Sequence, residues 1–182
     1  TTVVELGGLR VLTDPVLRPH LAFLERQVDA IPPERYAGTD IVVISHLHWD
    51  HLDLPSLRLL GSYPTIVVPA GAGDLIRRNG FESVVEMVPG DTVDFGDLKV
   101  TATRAIHRGF RPPFGPDAPS LGFLLEDRER RICGMGPPSS GGLTVAMTLE
   151  LLEAFDIGSG PDAAMRTSAL HVIAEAEKLA YA

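Results

Sequence analysis

The apolar positions of this chain come in short blocks separated by glycine, proline and aspartate, the rhythm of a strand-rich fold with brief helices. Val3, Val4 and Leu6, then Leu9, Val11 and Leu12, flank Gly7-Gly8. Two β runs around a Gly-Gly pair predict a hairpin. Asp14-Pro15 closes the second run, since proline cannot donate to a strand ladder. Residues 16–38 carry Pro19, Pro32 and Pro33 and read as loop. Residues 41–44 are continuously apolar, the pattern of a strand buried on both faces. Asp53 as N-cap, Pro55 in the first turn and Gly61 past the end bracket a helix over 54–60. Strands over 65–68 and 84–88 enclose a helix over 72–79. Val93 and Phe95 lead to a turn at Gly96-Asp97, then a strand over 99–106 ending at His107. Residues 108–119, with four prolines and two glycines, form a loop. Residues 121–125 and 130–133 predict a hairpin around a charged turn. Residues 143–155 and 169–180 have helical composition. Strands first, with helices interspersed and then following, predict two packed sheets with helices outside, an αββα sandwich in a single domain over 1–182.

Composition narrows the class. The chain has 182 residues, 45% of them hydrophobic and 22% charged, close to a globular average. No apolar stretch approaches the roughly 20 residues that span a bilayer. The single cysteine, Cys133, excludes a disulfide framework within the chain and fits a reducing compartment, so the cytoplasm is expected. A net charge of −8 argues against a broad basic face for nucleic acid but leaves room for a small anionic substrate. The chain starts at Thr1 in an apolar alternating run, as expected of a fragment or of a chain that has lost an N-terminal piece.

The densest chemistry lies just after the buried run at 41–44. His46, His48, Asp50 and His51 fall within six consecutive positions, which hold three of the chain's six histidines. Zinc takes imidazole nitrogen and carboxylate oxygen at about 2 Å in four-coordinate shells. Ligands at i and i+2 of an extended segment point to the same side. His46 and His48 can therefore serve one ion, and Asp50 and His51, beyond a bend, a second. His107, at the end of a strand and the start of a Pro/Gly-rich loop, is the candidate third ligand of the first ion. Arg104, Arg108 and Arg111 surround it, and Arg108 and Arg111 are candidates for holding an anionic substrate. Gly71-Ala72-Gly73 lacks the third glycine and the lysine of a phosphate loop and reads as a tight turn. Trp49 is expected to pack beneath the metal loop. His20 is expected at the surface and Cys133 in the interior.

The segment Ser45-His46-Leu47-His48-Trp49-Asp50-His51 resembles the HxHxDH signature of the metallo-β-lactamase superfamily. Leu12-Thr13-Asp14-Pro15-Val16-Leu17, Val68-Pro69-Ala70-Gly71 and Ala105-Ile106-His107 make it similar to the branch of ascorbate-6-phosphate lactonases and N-acyl-phosphatidylethanolamine phospholipase D type enzymes. The resemblance covers residues 2–133. It implies a first zinc on His46, His48 and His107 and a second on Asp50 and His51. It also implies hydrolysis of a phosphodiester or lactone by metal-activated hydroxide, which Asp50 helps to orient. The tail, 134–182, departs from the pattern and reads as altered or truncated. Where the family carries Gly-Asp-Thr, whose aspartate bridges both ions, this chain has Gly134-Met135-Gly136. A thioether is a poor substitute in such a site. The family also supplies a late histidine to the second zinc. His171 is the candidate, or else an ordinary helix residue. The expectation is one filled zinc site and a weak or empty second one. Two readings stay open: a zinc hydrolase, or a metal-binding domain with little turnover because the bridging aspartate is missing.

Overall fold

In the computed structural model, which describes residues 1–134 except 22, 23, 27, 28 and 114, together with 152, 155, 169 and 171–176, the chain starts with a hairpin. Strands β1 (Thr2–Leu6) and β2 (Leu9–Thr13) pair antiparallel about Gly7 and Gly8, whose φ angles of +58° and +74° suit glycine alone without strain. The proline-bearing stretch that follows contains two brief strands, β3 (His20–Leu21) and β4 (Leu24–Glu25), and a 3-10 turn at Pro33–Arg35. Strand β5 (Ile41–Val43), helix α1 (Leu54–Leu59), strand β6 (Thr65–Pro69), helix α2 (Gly73–Arg77) and strand β7 (Val84–Met87) come next. Strands β8 (Thr92–Phe95), β9 (Leu98–Arg104), β10 (Leu121–Glu126) and β11 (Arg131–Gly134) complete the described series.

The strands form two main sheets, ordered β1-β2-β5-β6-β7 and β11-β10-β9-β8. In the first, β2, β5, β6 and β7 run parallel; the second is an antiparallel meander. Side chains of β5 divide by parity. Ile41 and Val43 enter a core shared with Leu98, Val100 and Leu121 of the second sheet. Val42 and Ile44 enter a second core with Leu57 of α1 and Ile76 of α2. A strand covered on both faces must be apolar at every position, which is why 41–44 shows no alternation. Each such fully buried side chain contributes roughly 1.5–3 kcal/mol. This is a layered α/β sandwich with helices outside the first sheet, as the resemblance implies.

The residues group into two compact units, Thr1–Pro138 and Ser139–Ala182. In the second, residues 169 and 171–176 are helical, within the predicted span. The expected helix over 143–155 lies outside the described residues save for 152, which is helical, and 155. Met135 lies outside them too. No helix among the described residues is long and apolar enough to cross a membrane.

Candidate metal centre

Parallel pairing of β2 with β5, in register Thr13 with Val43, ends both strands at the same edge of the sheet. Asp14 and Ser45-His46 therefore emerge side by side at the carboxyl ends of parallel strands, where open α/β sheets place their ligands. The loop after β5 turns back on itself, His51 and Leu52 donating their N–H groups to the carbonyl of His48 at 3.1 and 2.8 Å. Leu47 and Leu52 are fully buried beneath it. Asp53 caps α1, accepting from the Ser56 N–H at 3.1 Å, and takes a two-pronged bond from Arg18 at 2.8 and 2.7 Å. From the second sheet, the Leu121 N–H donates to the Ser45 carbonyl at 2.8 Å. His107 lies three residues beyond β9, in the connection to β10, rather than ending the strand as predicted. Gly109 lets that connection fold on itself, since a Cβ there would stand 1.7 Å from the Ala118 carbonyl oxygen.

Four imidazoles converge. His46 Nε2 and His48 Nδ1 are 3.0 Å apart, and His107 Nε2 is 3.3 Å from the same His48 nitrogen. One nitrogen from each of these rings lies within 4.8 Å of the others. Vertices of a tetrahedron with ligands at 2.0–2.1 Å stand about 3.3 Å apart, so the donor atoms suit a single ion. The His51 ring also lies against His46, its centroid 4.2 Å away and its plane tilted by 39°. Its Nε2 is 3.4 Å from Asp50 Oδ2, and its Nδ1 is 3.0 Å from Asp14 Oδ2.

Burial, and then the neighbouring rings of His51 and His48, lower the pKa of His46 to about 4. That of His48 is lowered as well, by burial and by His107. At neutral pH His46 is thus uncharged, the form that a metal requires.

A sequence profile described as the beta-lactamase superfamily domain matches residues 9–167. The chain belongs to this superfamily. It is 31% identical over 112 residues to the N-acyl-phosphatidylethanolamine-hydrolyzing phospholipase D, mitochondrial, of Saccharomyces cerevisiae, a match covering 56% of this chain and 24% of that one. It is 30% identical over 108 residues to a metal-dependent hydrolase of Koribacter versatilis, covering 58% of this chain and 42% of the relative. The chain thus spans less than half the length of these relatives. Among solved structures, a possible metal-dependent hydrolase from Veillonella parvula superposes with a TM-score of 0.59 at 19% identity, covering 85% of this chain and 64% of that one. That likeness concerns the fold.

Against the superfamily signature, the structure brings His46, His48 and His107 into one group, and sets Asp50 and His51 next to each other beside it. His171 is exposed on the helix of the second unit. Arg108 and His107 line an open cleft of about 690 Å³ with Phe110, Asp117, Ala118 and Pro119. Arg111 turns elsewhere, its Nη1 donating to the carbonyls of Leu47 and Leu52 at 2.9 and 2.8 Å. Arg104 is exposed. The expectation for Trp49 is corrected. It is 44% exposed, its Nε1 donating to the Pro112 carbonyl at 3.0 Å, because Leu47 and Leu52 already fill the space under the loop. His20 is exposed, as predicted. The Gly71-Ala72-Gly73 turn is filled from within, the Glu86 carboxylate accepting from the N–H groups of Gly71 and Gly73 at 2.8 and 3.1 Å.

One residue of the site escaped the sequence reading. Asp14 was legible only as a strand terminator, yet its carboxylate reaches Ser45 and His51. The available signal was its place in the Leu12 to Leu17 segment that resembles the superfamily.

Proposed function

We propose that this chain is the metal-binding core of a zinc-dependent hydrolase acting on a small, anionic phosphodiester or lactone-type substrate. The observation that carries the proposal is the convergence of His46 Nε2, His48 Nδ1 and His107 Nε2 at ligand spacing. The donor chemistry fits, since imidazoles held neutral by burial suit zinc and also iron, copper or nickel. A divalent ion held there lowers the pKa of a bound water to about 7 and polarises a carbonyl or phosphoryl oxygen. His46, His48 and His107 hold the first ion in this reading. Asp50 and His51 hold a second, with Asp50 also orienting the attacking water. His171 is the candidate additional ligand. Arg108, on the wall of the cleft beside His107, supplies positive charge to an anionic substrate. The acidic balance of the chain disfavours nucleic acid, and its one cysteine favours the cytoplasm.

A second reading has its own support. Gly134-Met135-Gly136 replaces the aspartate-bearing segment of the superfamily, so the chain binds one metal and turns over little. One experiment separates the two. Protein purified without chelator is analysed for zinc, iron and manganese, then assayed on bis(p-nitrophenyl) phosphate and on simple lactones with each ion added. Metal together with turnover supports the hydrolase. One tightly held metal without turnover supports the binding domain, and no metal overturns both.

A further inference from the structure

The connection from β9 to β10 folds back as two antiparallel arms. The Arg111 N–H donates to the Pro116 carbonyl at 3.0 Å, Gly109 lies against the Ala118 carbonyl, and the Ser120 hydroxyl donates to the His107 carbonyl at 3.3 Å. That register sets Phe110 opposite Asp117 and Arg108 opposite Pro119. Exposure alternates along both arms. Gly109, Ala118 and Ser120 are buried, whereas Arg108, Phe110, Asp117 and Pro119 are exposed and line the cleft beside His107. Alternate residues of an extended arm face one side, so these four make up one wall.

The wall carries charge of both signs. Arg108 adjoins His107 and marks its inner end. Opposite positions on antiparallel arms stand about 5 Å apart at Cβ, and diagonal ones about 7 to 8 Å. Arg108 and Asp117 are diagonal, and among the described residues they form no ion pair with each other. Asp117 has the Phe110 ring opposite it instead, 41% exposed. A carboxylate attracts a cation by its charge, and an aromatic ring attracts one by its negative face. Together they suit an ammonium group, whose attached carbons also meet the apolar ring, and the carboxylate repels a phosphate or second carboxylate at that end.

We propose that Asp117 and Phe110 form a subsite for an ammonium group, so that the cleft takes a substrate bearing a cation as well as an anionic group, the latter facing Arg108 next to the metal centre. Asp117 is then a specificity-determining residue, favouring zwitterionic over purely anionic substrates. The inference rests on the hydrolase reading above for the place of the reacting group. The subsite itself is built from the cleft wall and needs no metal to form.

The test compares two phosphate monoesters of one shape. Phosphorylcholine carries a quaternary ammonium, and neohexyl phosphate has carbon in place of that nitrogen. Each is titrated into the isotope-labelled, metal-free full chain, and amide shifts report affinity and place. Phosphorylcholine should bind roughly 3- to 30-fold more tightly, from an exposed cation–π contact and a screened ion pair together. It should shift the amides of Phe110 and Asp117, and the preference should shrink as salt rises. Asp117→Asn should leave only the part due to the ring, about 2- to 5-fold. Phe110→Leu, which keeps an apolar side chain and removes the ring, should leave only the salt-sensitive part. Equal binding of the two phosphates by the native chain overturns the proposal, as does a preference that neither variant changes, or no saturable binding of either phosphate. Failure of the metal-loaded protein to turn over the p-nitrophenyl ester of either phosphate goes against the hydrolase reading, while the binding preference still decides the subsite.

Discussion

Arg111 Nη1 donates to the carbonyl of Leu47 at 2.9 Å, and so an arginine from the β9–β10 connection holds the loop that carries His46 and His48. The same nitrogen reaches the Leu52 carbonyl, and the guanidinium is half-buried. Burial lowers the Arg111 pKa, yet its charge remains at any pH of interest. Hydrogen bonds to a charged donor contribute roughly 1.5–3 kcal/mol.

Arg108 and Arg111, three residues apart in the same connection, should therefore separate in experiment. Arg111→Ala should lower stability by about 1–3 kcal/mol and weaken metal retention, read by denaturant titration and metal analysis. Arg108→Ala should leave stability within about 0.5 kcal/mol and raise KM for anionic substrates, an effect that fades as salt rises. Equal loss of stability in both variants would contradict the assignment.

Changing His48 should remove the first ion. His48 Nδ1 is the atom nearest to both partners, so His48→Ala leaves His46 and His107 as a two-ligand remnant. Zinc content of protein purified without chelator should fall from about one per chain to near zero on the usual count of three protein ligands for such a site. Unchanged content would remove His48 from the ligand set.

The second ion should answer to position 135. Two dications about 4 Å apart repel by on the order of 16 kcal/mol at an effective dielectric near 20, before ligands and hydroxide offset it. A bridging carboxylate is the usual offset, and Met135 supplies none. Met135→Asp should convert a zinc titration with one tight step into one with two, and raise turnover on phosphodiester or lactone substrates. Two tight steps already present in the native chain would rule this out.

Acid should act through Asp53. Burial alone would raise its pKa, but bonds from Arg18 and Ser56 outweigh burial and hold it below the ordinary 3.8. A carboxylate with a depressed folded-state pKa stabilises above its unfolded value, and that contribution disappears as pH falls through the folded value. Metal-free protein should thus lose stability below about pH 4. Asp53→Asn, measured alongside from pH 7 to pH 3, should be less stable at neutrality and follow a flatter acid limb. Parallel curves would show that Asp53 does not contribute.

Most of the frame was legible because its signals are local. The Gly7-Gly8 hairpin, the Asp53 and Pro55 start of α1, and the unbroken apolar run of β5 each follow from a few neighbouring residues. So did the meeting of the His46, His48 and His51 rings. Asp14 was not, because its partners come from parallel pairing of β2 with β5 across some thirty residues, and no local pattern encodes that. The backbone partners of Arg111 were not legible for a related reason. Charge alone suggests an anionic ligand, whereas two backbone carbonyls of a tight loop are equally good acceptors. Trp49 was expected beneath the loop, but no local pattern shows that Leu47 and Leu52 are already there.

Strand order has a consequence for synthesis. Setting aside the small β3–β4 pair, within each main sheet every described strand neighbours the described strand before it, so the described strands of the first sheet are all in place by Met87 and those of the second form a simple meander. A chain emerging from the ribosome can lay down the described strands of each sheet in order, none of them waiting for a later described strand to be inserted beside it. Yet the inner face of the first sheet is covered only when β9 and β10 arrive, and His107 arrives between them. A nascent chain that has reached Met87 carries His46, His48 and His51 beside a sheet whose inner apolar face is still open, so the three-histidine group of His46, His48 and His107 and the covered core form at the same stage of synthesis.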